Sequence, residues 1–479
     1  MVRFPLPPSF LVRSSLFCLA AFFGFFGPPQ SLAQHSVTPP QKLPQKTLPK
    51  KTDKGKAAAT SDADASEKAD LKILAHYMPW FQNRKSEQGD GVTWSHWQWN
   101  GKGTKHDPNR KLTKDRHDIA SVFYPLIGPY DSHDTRVLEY HILTAKLAGI
   151  DGFICNWYGP KSFTDQAVSQ MLPIAERLDF KLAICMEEKT FFPPYCQTDQ
   201  RSGASKEMSR QVSYLLDKHC NSKAYLRLDA QPLIFLFNGF GTSKLGNRFL
   251  SPDEMKQVRQ TTKSQKYVLV RNQLNKEHFP TTDGLFAWCA PQEARAKFYD
   301  RSVAMKKAQT LNYLAAVASP GFNDSGVHGW GGEIRVTDRR DGDEYRENWA
   351  EVKALHSQKH VSLVQIVTWN DFEEGTTIEP TREYQFSYLD QTENEIEQLT
   401  SRLANTTDNQ WGLEVFEMRC RLHLVSPEQT RQELAGELDR LVQKIVSQNN
   451  QTENDFGSRL AKVRARLDSK IEKRNLLNK

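Results

Sequence analysis

The chain has 479 residues, of which 38% are hydrophobic, and a formal net charge of +7 at pH 7. This apolar content is enough for a large core, so the composition excludes a chain that is disordered throughout. The net charge is small for this length, and the sequence has no zinc-finger spacing, RNA-recognition signature or Walker loop. We therefore expect no nucleic-acid partner.

Residues 1–33 have the features of a signal peptide. Arg3 and Arg13 precede the apolar run 16–26, and the small residues Ser31 and Ala33 follow it. The run is short for a membrane span, which favours export with cleavage after Ala33 over an uncleaved anchor. No later stretch reaches the roughly 18 uninterrupted apolar residues of a membrane helix. The sequence predicts an exported protein without a transmembrane helix after signal removal.

Residues 34–70 are rich in Lys, Pro and Ala and contain almost no large apolar side chain. Such a segment cannot bury enough apolar surface to offset its ordering entropy, so it is predicted to be a flexible linker.

Six of the seven cysteines lie beyond the signal peptide. Cys196 and Cys220 flank a helix-like segment in polar surroundings and are the candidate disulfide. The cysteines inside apolar runs are expected to be buried: Cys155, Cys185 and Cys289. No Cys/His spacing indicates zinc, and neither a metal nor a cofactor is expected.

Between residues 71 and 390, short apolar runs alternate with helix-like stretches, which is the pattern of repeated βα units. The eight candidate strands are 73–80, 152–158, 182–187, 233–238, 267–271, 285–290, 313–318 and 362–369. Two clear helices are 135–148, ended by Gly149, and 252–262, opened by Ser251 and Pro252. The pattern favours a (β/α)₈ TIM barrel. An open doubly wound sheet would show similar runs, but the nucleotide-binding glycine fingerprint is missing after the first strand.

Residues 391–479 have a helical pattern. Apolar side chains recur at spacings of three and four in two stripes: Leu434, Leu438, Leu441 and Ile445, then Leu460, Val463, Leu467 and Ile471. These helices are expected to pack as an antiparallel pair on the barrel or on another subunit, or to form a coiled coil. Self-association through them is therefore one of the expectations.

Two carboxylates follow the last predicted strand. Asp371 and Glu374 are three residues apart, at the strand end where α/β barrels place their chemistry. Two carboxyl groups in unequal environments titrate apart, as a glycosidase requires. A solvated acidic loop is the alternative, and the neighbouring Trp369, Phe372 and Gly375 argue against it.

Aromatic and polar side chains occur at other strand ends. Sugars expose C–H faces that stack on aromatic rings, so Tyr77, Trp80, Trp157 and Tyr158 are candidate substrate-binding residues. The loop after the first strand supplies a candidate second wall: Trp94, His96, Trp97 and Trp99.

Glu187 and Asn238 end the third and fourth predicted strands, where they can bind sugar hydroxyls or only neighbouring backbone. Glu188 is expected to be a surface or salt-bridge residue. Glu373 is expected to have a structural role, because it faces away from Asp371 and Glu374 in an extended backbone.

Four stretches resemble glycoside hydrolase family 99 and its relatives, the family 71 α-1,3-glucanases and the WbsX-like proteins. They are Ala-His-Tyr-Met-Pro-Trp at 75–80, Gly-Pro-Tyr-Asp-Ser-His-Asp at 128–134, Asn-Trp-Tyr-Gly-Pro at 156–160, and the segment 369–380. The resemblance covers residues 71–390. It implies a barrel that hydrolyses an α-linked polysaccharide or glycan, as an endo-α-mannosidase or an α-glucanase does.

The resemblance also implies roles for the segment 369–380. Family 99 has the pattern Trp-Asn-Glu-x-x-Glu-Gly-Thr, which implies that Asp371 is the base that assists the sugar's 2-hydroxyl and that Glu374 is the general acid. Trp369 and Asn370 beside them are further candidate substrate-binding residues. Asp371 is one methylene shorter than the family's Glu and resembles family 71. Glu187 matches the Glu of the family's Ile-Glu-Pro-Tyr segment, although Glu188 replaces the Pro.

Three hypotheses follow. The leading one is an exported glycoside hydrolase that cuts internal α-linkages. The second is a glycan-binding envelope protein that kept the barrel and lost catalysis, and the third is a WbsX-like glycosyltransferase.

Overall fold

The computed structural model describes residues 71–85, 91–192, 203–238, 249–272, 276–400, 402, 408–447 and 453–477. The predicted signal peptide and linker lie outside these residues, and so does Cys196, so the Cys196–Cys220 disulfide stays a prediction. Across the described ranges, none of the helices combines the length and apolar character needed to cross a membrane.

Eight parallel strands close into a barrel, which confirms the predicted fold. They are β1 Lys72–Tyr77, β2 Gly152–Trp157, β3 Lys181–Glu187, β4 Gln231–Phe237, β5 Val268–Arg271, β6 Gly284–Phe286, β7 Tyr313–Ala318 and β8 Leu363–Ile366. Each strand pairs with the next, and β8 pairs with β1, with Ile73 opposite Val364. Because the sheet closes on itself, the open doubly wound alternative is wrong.

Both faces of the barrel strands are buried. One set of side chains fills the barrel interior: Leu74, Ile154, Cys185, Phe235, Val270, Phe286, Ala315 and Leu363. The alternate set packs outward against the helices, as Ile73, Phe153 and Leu236 do. Each large apolar side chain buried in this way stabilises the fold by about 1.5–3 kcal/mol. Burial on both faces also explains why the strands appear in the sequence as continuous apolar runs.

Helices surround the barrel. Their bounds are α1 Thr135–Leu147, α2 Phe163–Arg177, α3 Ala204–Lys218, α4 Pro252–Thr261, α5 Gln292–Lys307, α6 Asp343–Ser357, α7 Ser387–Thr400, α8 Trp411–Arg421, α9 Glu428–Ser447 and α10 Glu453–Leu477. The two helices predicted in detail have the expected ends. Gly149 follows α1 with a φ of +82°, and Ser251 and Glu254 form a capping box before and within α4.

The C-terminal helices pack on the barrel layer of the same chain. Helix α8 lies against α1, where the carboxylate of Glu139 accepts from Arg177 of α2 at 2.7 Å and from Arg419 of α8 at 2.9 Å. The predicted stripes of α9 and α10 are buried, except that Ile445 and Ile471 are half-buried. The expected packing on the barrel is therefore observed, and self-association stays a prediction.

Long connections rise from the carboxyl ends of the strands and build the walls of the barrel mouth. The connection after β1 carries an aromatic cluster: Trp80, Phe81, Trp94, Trp97, Tyr124 and Tyr130. The connection after β7 contains a hairpin in which Phe322–Asn323 pairs with Val336–Thr337, and the turns of Ser325–Gly331 lie between its strands.

Helix α8 approaches α1 at Gly412, where an added Cβ would lie 2.1 Å from Oγ1 of Thr144. We therefore expect Gly412→Ala to lower the unfolding free energy by about 1–3 kcal/mol, despite the higher helix propensity of Ala. Gly436→Ala in α9 is the matched control, because its Cβ would meet only Nη1 of Arg440 at 3.5 Å. It should stabilise by about 0.5–1 kcal/mol. Thermal unfolding checks both, and equal stabilisation by the two changes would contradict the close packing of α8.

Candidate active site

Asp371 and Glu374 lie in the turn after β8 and face the same pocket at the carboxyl end of the barrel. The pocket spans about 440 Å³, part of which is open solvent. Its wall also includes the ends of β1 to β4 and two later connections. The lining residues are His76, Met78, Trp80, His96, Asn156, Tyr158, Glu187, Phe237, Trp288, Trp330, Asp371 and Glu374.

The turn that carries the acids is fixed by its own polar groups. The N–H of Asp371 donates to Oγ1 of Thr368 at 2.8 Å, and the N–H of Glu374 donates to Oδ1 of Asp371 at 2.9 Å. Gly375 has a φ of +60°, and a Cβ there would lie 2.8 Å from the carbonyl oxygen of Asn323. Only glycine fits this conformation and this contact without strain. Local sequence therefore holds the two carboxyl groups in one place.

Burial raises the pKa of both acids. The pKa of Asp371 lies well above its usual range because of desolvation and then the charges of Glu374 and Glu373. Desolvation raises the pKa of Glu374 to about 7. Since each carboxylate disfavours ionisation of the other, the two titrate as a pair that retains a proton near neutral pH. One group can then donate a proton while the other accepts one.

The two carboxyl groups have different neighbours. Asp371 accepts backbone N–H groups of Glu373 and Glu374, which favour its ionised form. Glu374 accepts from Nε1 of Trp330 at 3.3 Å and lies 4.0 Å from the Arg335 guanidinium. That guanidinium donates to Oδ2 of Asp324 at 2.8 and 2.6 Å, which offsets much of its charge. The environments of the two carboxyl groups are therefore unequal.

Arg335 and Trp330 oppose the effect of burial on the pKa of Glu374. The Arg335 charge and the Trp330 hydrogen bond both lower its pKa, whereas the Asp324 and Glu373 charges raise it. The value near 7 is the balance of these effects, with desolvation the largest.

Three predicted substrate-binding residues line the opposite wall of the pocket. The Trp80 ring stacks on His96 at 4.7 Å and lies 6.0 Å from the Tyr158 ring. Glu187 accepts from Nδ2 of Asn156 at 2.7 Å and forms an ion pair with Lys189. The structure thus brings Trp80, Tyr158 and Glu187 together with both acids.

Some polar atoms of the pocket lining have no protein partner in the described part of the chain. They are Nε1 of Trp80, Oδ1 of Asn156 and Nε1 of Trp288. Buried donors and acceptors are normally satisfied, so these atoms are available to a polar ligand such as a sugar hydroxyl.

Three predicted substrate-binding residues lie outside the pocket, because side chains alternate between the two faces of a strand. Tyr77, Trp157 and Trp369 are fully buried in the layer between barrel and helices. The Tyr77 hydroxyl bonds Nδ1 of His141 at 2.9 Å, and Nε1 of Trp157 donates to Asp165 at 3.0 Å. At the ends of β1 and β2, the residues next to Tyr77 and Trp157 face the pocket instead.

Asn370 and Asn238 also lie outside the pocket lining. Asn370 is fully buried, and its Oδ1 accepts from the Met78 N–H at 2.7 Å while its Nδ2 donates to the Tyr130 hydroxyl at 2.9 Å. Asn238 is buried with its side chain hydrogen-bonded to Glu188. Both side chains support the barrel mouth, and their contact with substrate stays a prediction.

The remaining acids near the site have structural contacts. Glu188 forms a buried ion pair with Arg271 at 3.2 Å, and Oε2 of Glu373 bonds Nδ1 of His96 at 2.8 Å. Both agree with the roles expected from the sequence. Of the four loop residues expected to form a second wall, only His96 lines the pocket; Trp94, Trp97 and Trp99 are buried in the loop itself.

Several lining residues were not singled out as site residues from the sequence: His76, Met78, Asn156, Phe237, Trp288 and Trp330. The first three lie beside predicted residues on the same strand ends, so strand alternation was the signal that could have found them. Burial lowers the pKa of His76 to about 3, so its imidazole is neutral. Trp330 lies in a glycine-rich loop that shows no periodicity. No group of three or more His, Cys, Asp or Glu residues in the described ranges is placed to hold a metal ion.

The chain matches the family model Glycosyl hydrolase family 99 over residues 69–410. It belongs to this family. The mouse glycoprotein endo-alpha-1,2-mannosidase is 24% identical over 363 residues, which is 70% of this chain and 74% of the relative. The human glycoprotein endo-alpha-1,2-mannosidase-like protein is 24% identical over 360 residues, or 69% of this chain and 75% of the relative.

A solved structure of the GH99 endo-alpha-mannosidase from Bacteroides thetaiotaomicron has the same fold. It aligns with a TM-score of 0.53 and 20% identity, covering 69% of this chain and 97% of that one. The family membership predicted from the four sequence stretches is confirmed, and the protein is a glycoside hydrolase.

The hydrogen bond from Trp330 lowers the pKa of Glu374, so its loss should raise that pKa. If protonated Glu374 is needed for turnover, Trp330→Phe moves the alkaline limb of the kcat/KM profile to higher pH by about half a unit. Trp288→Phe is the matched control, since Trp288 lines the same pocket without a hydrogen bond to Glu374. Its alkaline limb should stay in place. A profile that moves equally in both variants would contradict the role of the Trp330 bond.

Proposed function

We propose that this glycoside hydrolase is an exported, endo-acting α-glycosidase with Asp371 and Glu374 as its catalytic pair. One observation carries the proposal: two buried carboxyl groups with raised pKa values share an aromatic-lined pocket at the carboxyl end of the barrel. The relatives named as endo-alpha-1,2-mannosidases support α-mannosidic linkages as the first substrates to test. Because Asp371 is shorter than the Glu of family 99 and resembles family 71, α-glucans are the second substrates to test.

Glu374 is the general acid in this proposal. Its pKa of about 7 keeps a substantial protonated fraction at neutral pH, and Trp330 orients the carboxyl group. The proton passes to the glycosidic oxygen as the bond between that oxygen and C1 breaks. The leaving sugar departs as an alcohol, and Glu374 becomes a carboxylate.

Asp371 is the base. Burial and the neighbouring carboxylates raise the pKa of Asp371, and the backbone N–H groups that it accepts oppose this rise. In its carboxylate form, Asp371 takes the proton of the sugar's 2-hydroxyl while the 2-oxygen bonds to C1. Water then opens the resulting three-membered ring at C1. It gives one proton to Glu374, and Asp371 returns its proton to the 2-oxygen, so both groups regain their starting states.

The remaining lining residues suit a pyranose. The rings of Trp80, Tyr158 and Trp288 offer faces for sugar C–H groups, and Glu187 offers a carboxylate for hydroxyls. The polar atoms of Trp80, Asn156 and Trp288 that lack a protein partner add directional contacts. These groups would bind the sugar whose C1 reacts.

Replacing each acid should separate the two roles. We expect Glu374→Gln and Asp371→Asn each to lower kcat/KM on α-linked manno-oligosaccharides by about 10²–10⁴-fold. On the corresponding glycosyl fluoride, Glu374→Gln should release fluoride in the first turnover at close to the rate of the unmodified enzyme, because fluoride leaves without protonation. Later turnovers should stay slow, because Glu374 also accepts a proton from water. Asp371→Asn should stay impaired, because the base is still needed. Initial rates with both substrate types measure this.

Glu383→Gln is the control for these variants. Glu383 lies on the same connection after β8, but its carboxylate accepts from the N–H of Tyr124 at 2.9 Å, outside the pocket. Its rates should match those of the unmodified enzyme. Full activity of both acid variants would refute the assignment, and wild-type binding of glycans without hydrolysis would favour a non-catalytic binding role.

We also propose export with cleavage after Ala33, which is supported by the basic, apolar and small residues of the segment 1–33. Expression in a secreting bacterial host should release a protein whose first residue is Gln34, as read by N-terminal sequencing. Replacing the apolar run 16–26 with polar residues should abolish release. Cell-retained protein that begins at Met1 would count against export.

A further inference from the structure

A second and larger cavity lies next to the acid pocket and spans about 1000 Å³, part of which is open solvent. Its walls come from the start of α5 and from the hairpin after β7. Trp288 lines both the cavity and the acid pocket, so the two spaces adjoin at this ring. None of the catalytic roles described above uses this cavity.

The cavity adjoins the acid pocket on the side of Glu374. Arg335 lines the cavity and lies 4.0 Å from Oε1 of Glu374. Cys289 also lines it, and among nearby charges the Glu374 carboxylate contributes most to raising the pKa of its thiol. The cavity is therefore next to the group that protonates the leaving oxygen.

The charged side chains of the cavity wall are already paired with protein groups. Arg295 donates to both oxygens of Glu351 at 3.0 and 2.9 Å and to the carbonyl oxygen of Ala290 at 2.6 Å. Glu344 accepts from Arg340 at 2.7 Å and from Asn348 at 3.0 Å.

Arg335 is paired as well, since it donates to Asp324 and its guanidinium lies over the Phe322 ring at 4.8 Å. The rest of the wall is largely apolar, with Pro291, Ala294 and Val336 among its residues. Val336 is 60% exposed, and the neighbouring Ile334 is 47% exposed. The other polar groups of the wall are the Ser319 hydroxyl, which donates to the carbonyl oxygen of Gly321 at 3.4 Å, Thr337, and Nε1 of Trp288, which has no protein partner in the described part of the chain. The cavity thus offers few unpaired hydrogen-bonding groups and an apolar rim.

From this arrangement we infer that the cavity binds the leaving-group side of the substrate and selects a leaving group with apolar surface, such as an O-methylated sugar or an alkyl aglycone. An unmodified sugar would bring hydroxyls that find few partners there, and burial of an unpaired hydroxyl is unfavourable. Apolar substituents would instead gain from leaving water. The inference rests on the proposed function, because the assignment of Glu374 as the general acid places the leaving group on that side of the site.

The test uses alkyl α-mannobiosides with methyl or cyclohexylmethyl leaving groups, whose alcohols have similar acidity. We expect kcat/KM to be about tenfold or more higher for the cyclohexylmethyl compound. Ala294→Trp should obstruct the cavity and reduce this ratio towards one. Its rate on α-mannobiosyl fluoride should stay unchanged, because fluoride does not reach the cavity. Ala296→Trp, an exposed position on the same helix outside the cavity, is the matched control and should keep the full ratio.

A second substrate pair separates the two sources of apolar surface. It consists of trisaccharides that release mannose either unmodified or O-methylated. A preference in both pairs identifies a methylated sugar, and a preference in the alkyl pair alone identifies an alkyl aglycone. Equal rates within both pairs, or a ratio that survives Ala294→Trp, would overturn the inference. No hydrolysis of the fluoride by the unmodified enzyme would instead refute the proposed function itself.

Discussion

The buried side-chain amide of Asn370 joins the connections that follow the first and last strands of the barrel. The arrangement of the site depends on this contact. Its Oδ1 accepts the N–H of Met78, and its Nδ2 donates to the carbonyl oxygen of Met78 at 3.1 Å. Met78 follows β1 and Asn370 follows β8, so this contact links residues 292 positions apart. It holds the turn of Asp371 and Glu374 against the strand end that carries Trp80.

This link belongs to a wholly buried network. The Tyr130 hydroxyl donates to Glu379 at 2.8 Å, and Glu379 lies 3.3 Å from Nε2 of His141. Since unsatisfied groups in such a place are strongly unfavourable, the network fixes one arrangement of the connections after β1 and β8. The acids are thereby held by backbone and by neighbouring side chains before any substrate arrives, which is the preorganisation that catalysis needs. The same burial raises the pKa of both acids, so position and acidity have a common cause.

Because of the adjoining cavity, the two sides of the site differ in polarity. Polar atoms without protein partners in the described part of the chain lie at Trp80 and Asn156 on one wall of the acid pocket and at Trp288 between the two spaces. The rest of the wall beyond Glu374 has mainly paired charges and apolar side chains. A sugar fits the first wall and a less polar group fits the second. Arg335 lies between the two regions, and its pairing with Asp324 keeps it from ionising Glu374 completely.

The sequence by itself determined the barrel, the position of its strands and the turn that carries the acids. Strands buried on both faces appear as continuous apolar runs, and the residues around Gly375 encode a local turn. Those same continuous runs conceal which side of a strand faces the mouth. Tyr77 and Trp157 were predicted to bind substrate, but it is His76 and Asn156 that line the pocket at these strand ends. Only the tertiary structure decided this orientation. It also decided that Trp330 reaches Glu374 and that Trp288 separates two cavities, because such contacts depend on how distant connections pack and leave no periodic signal in the chain.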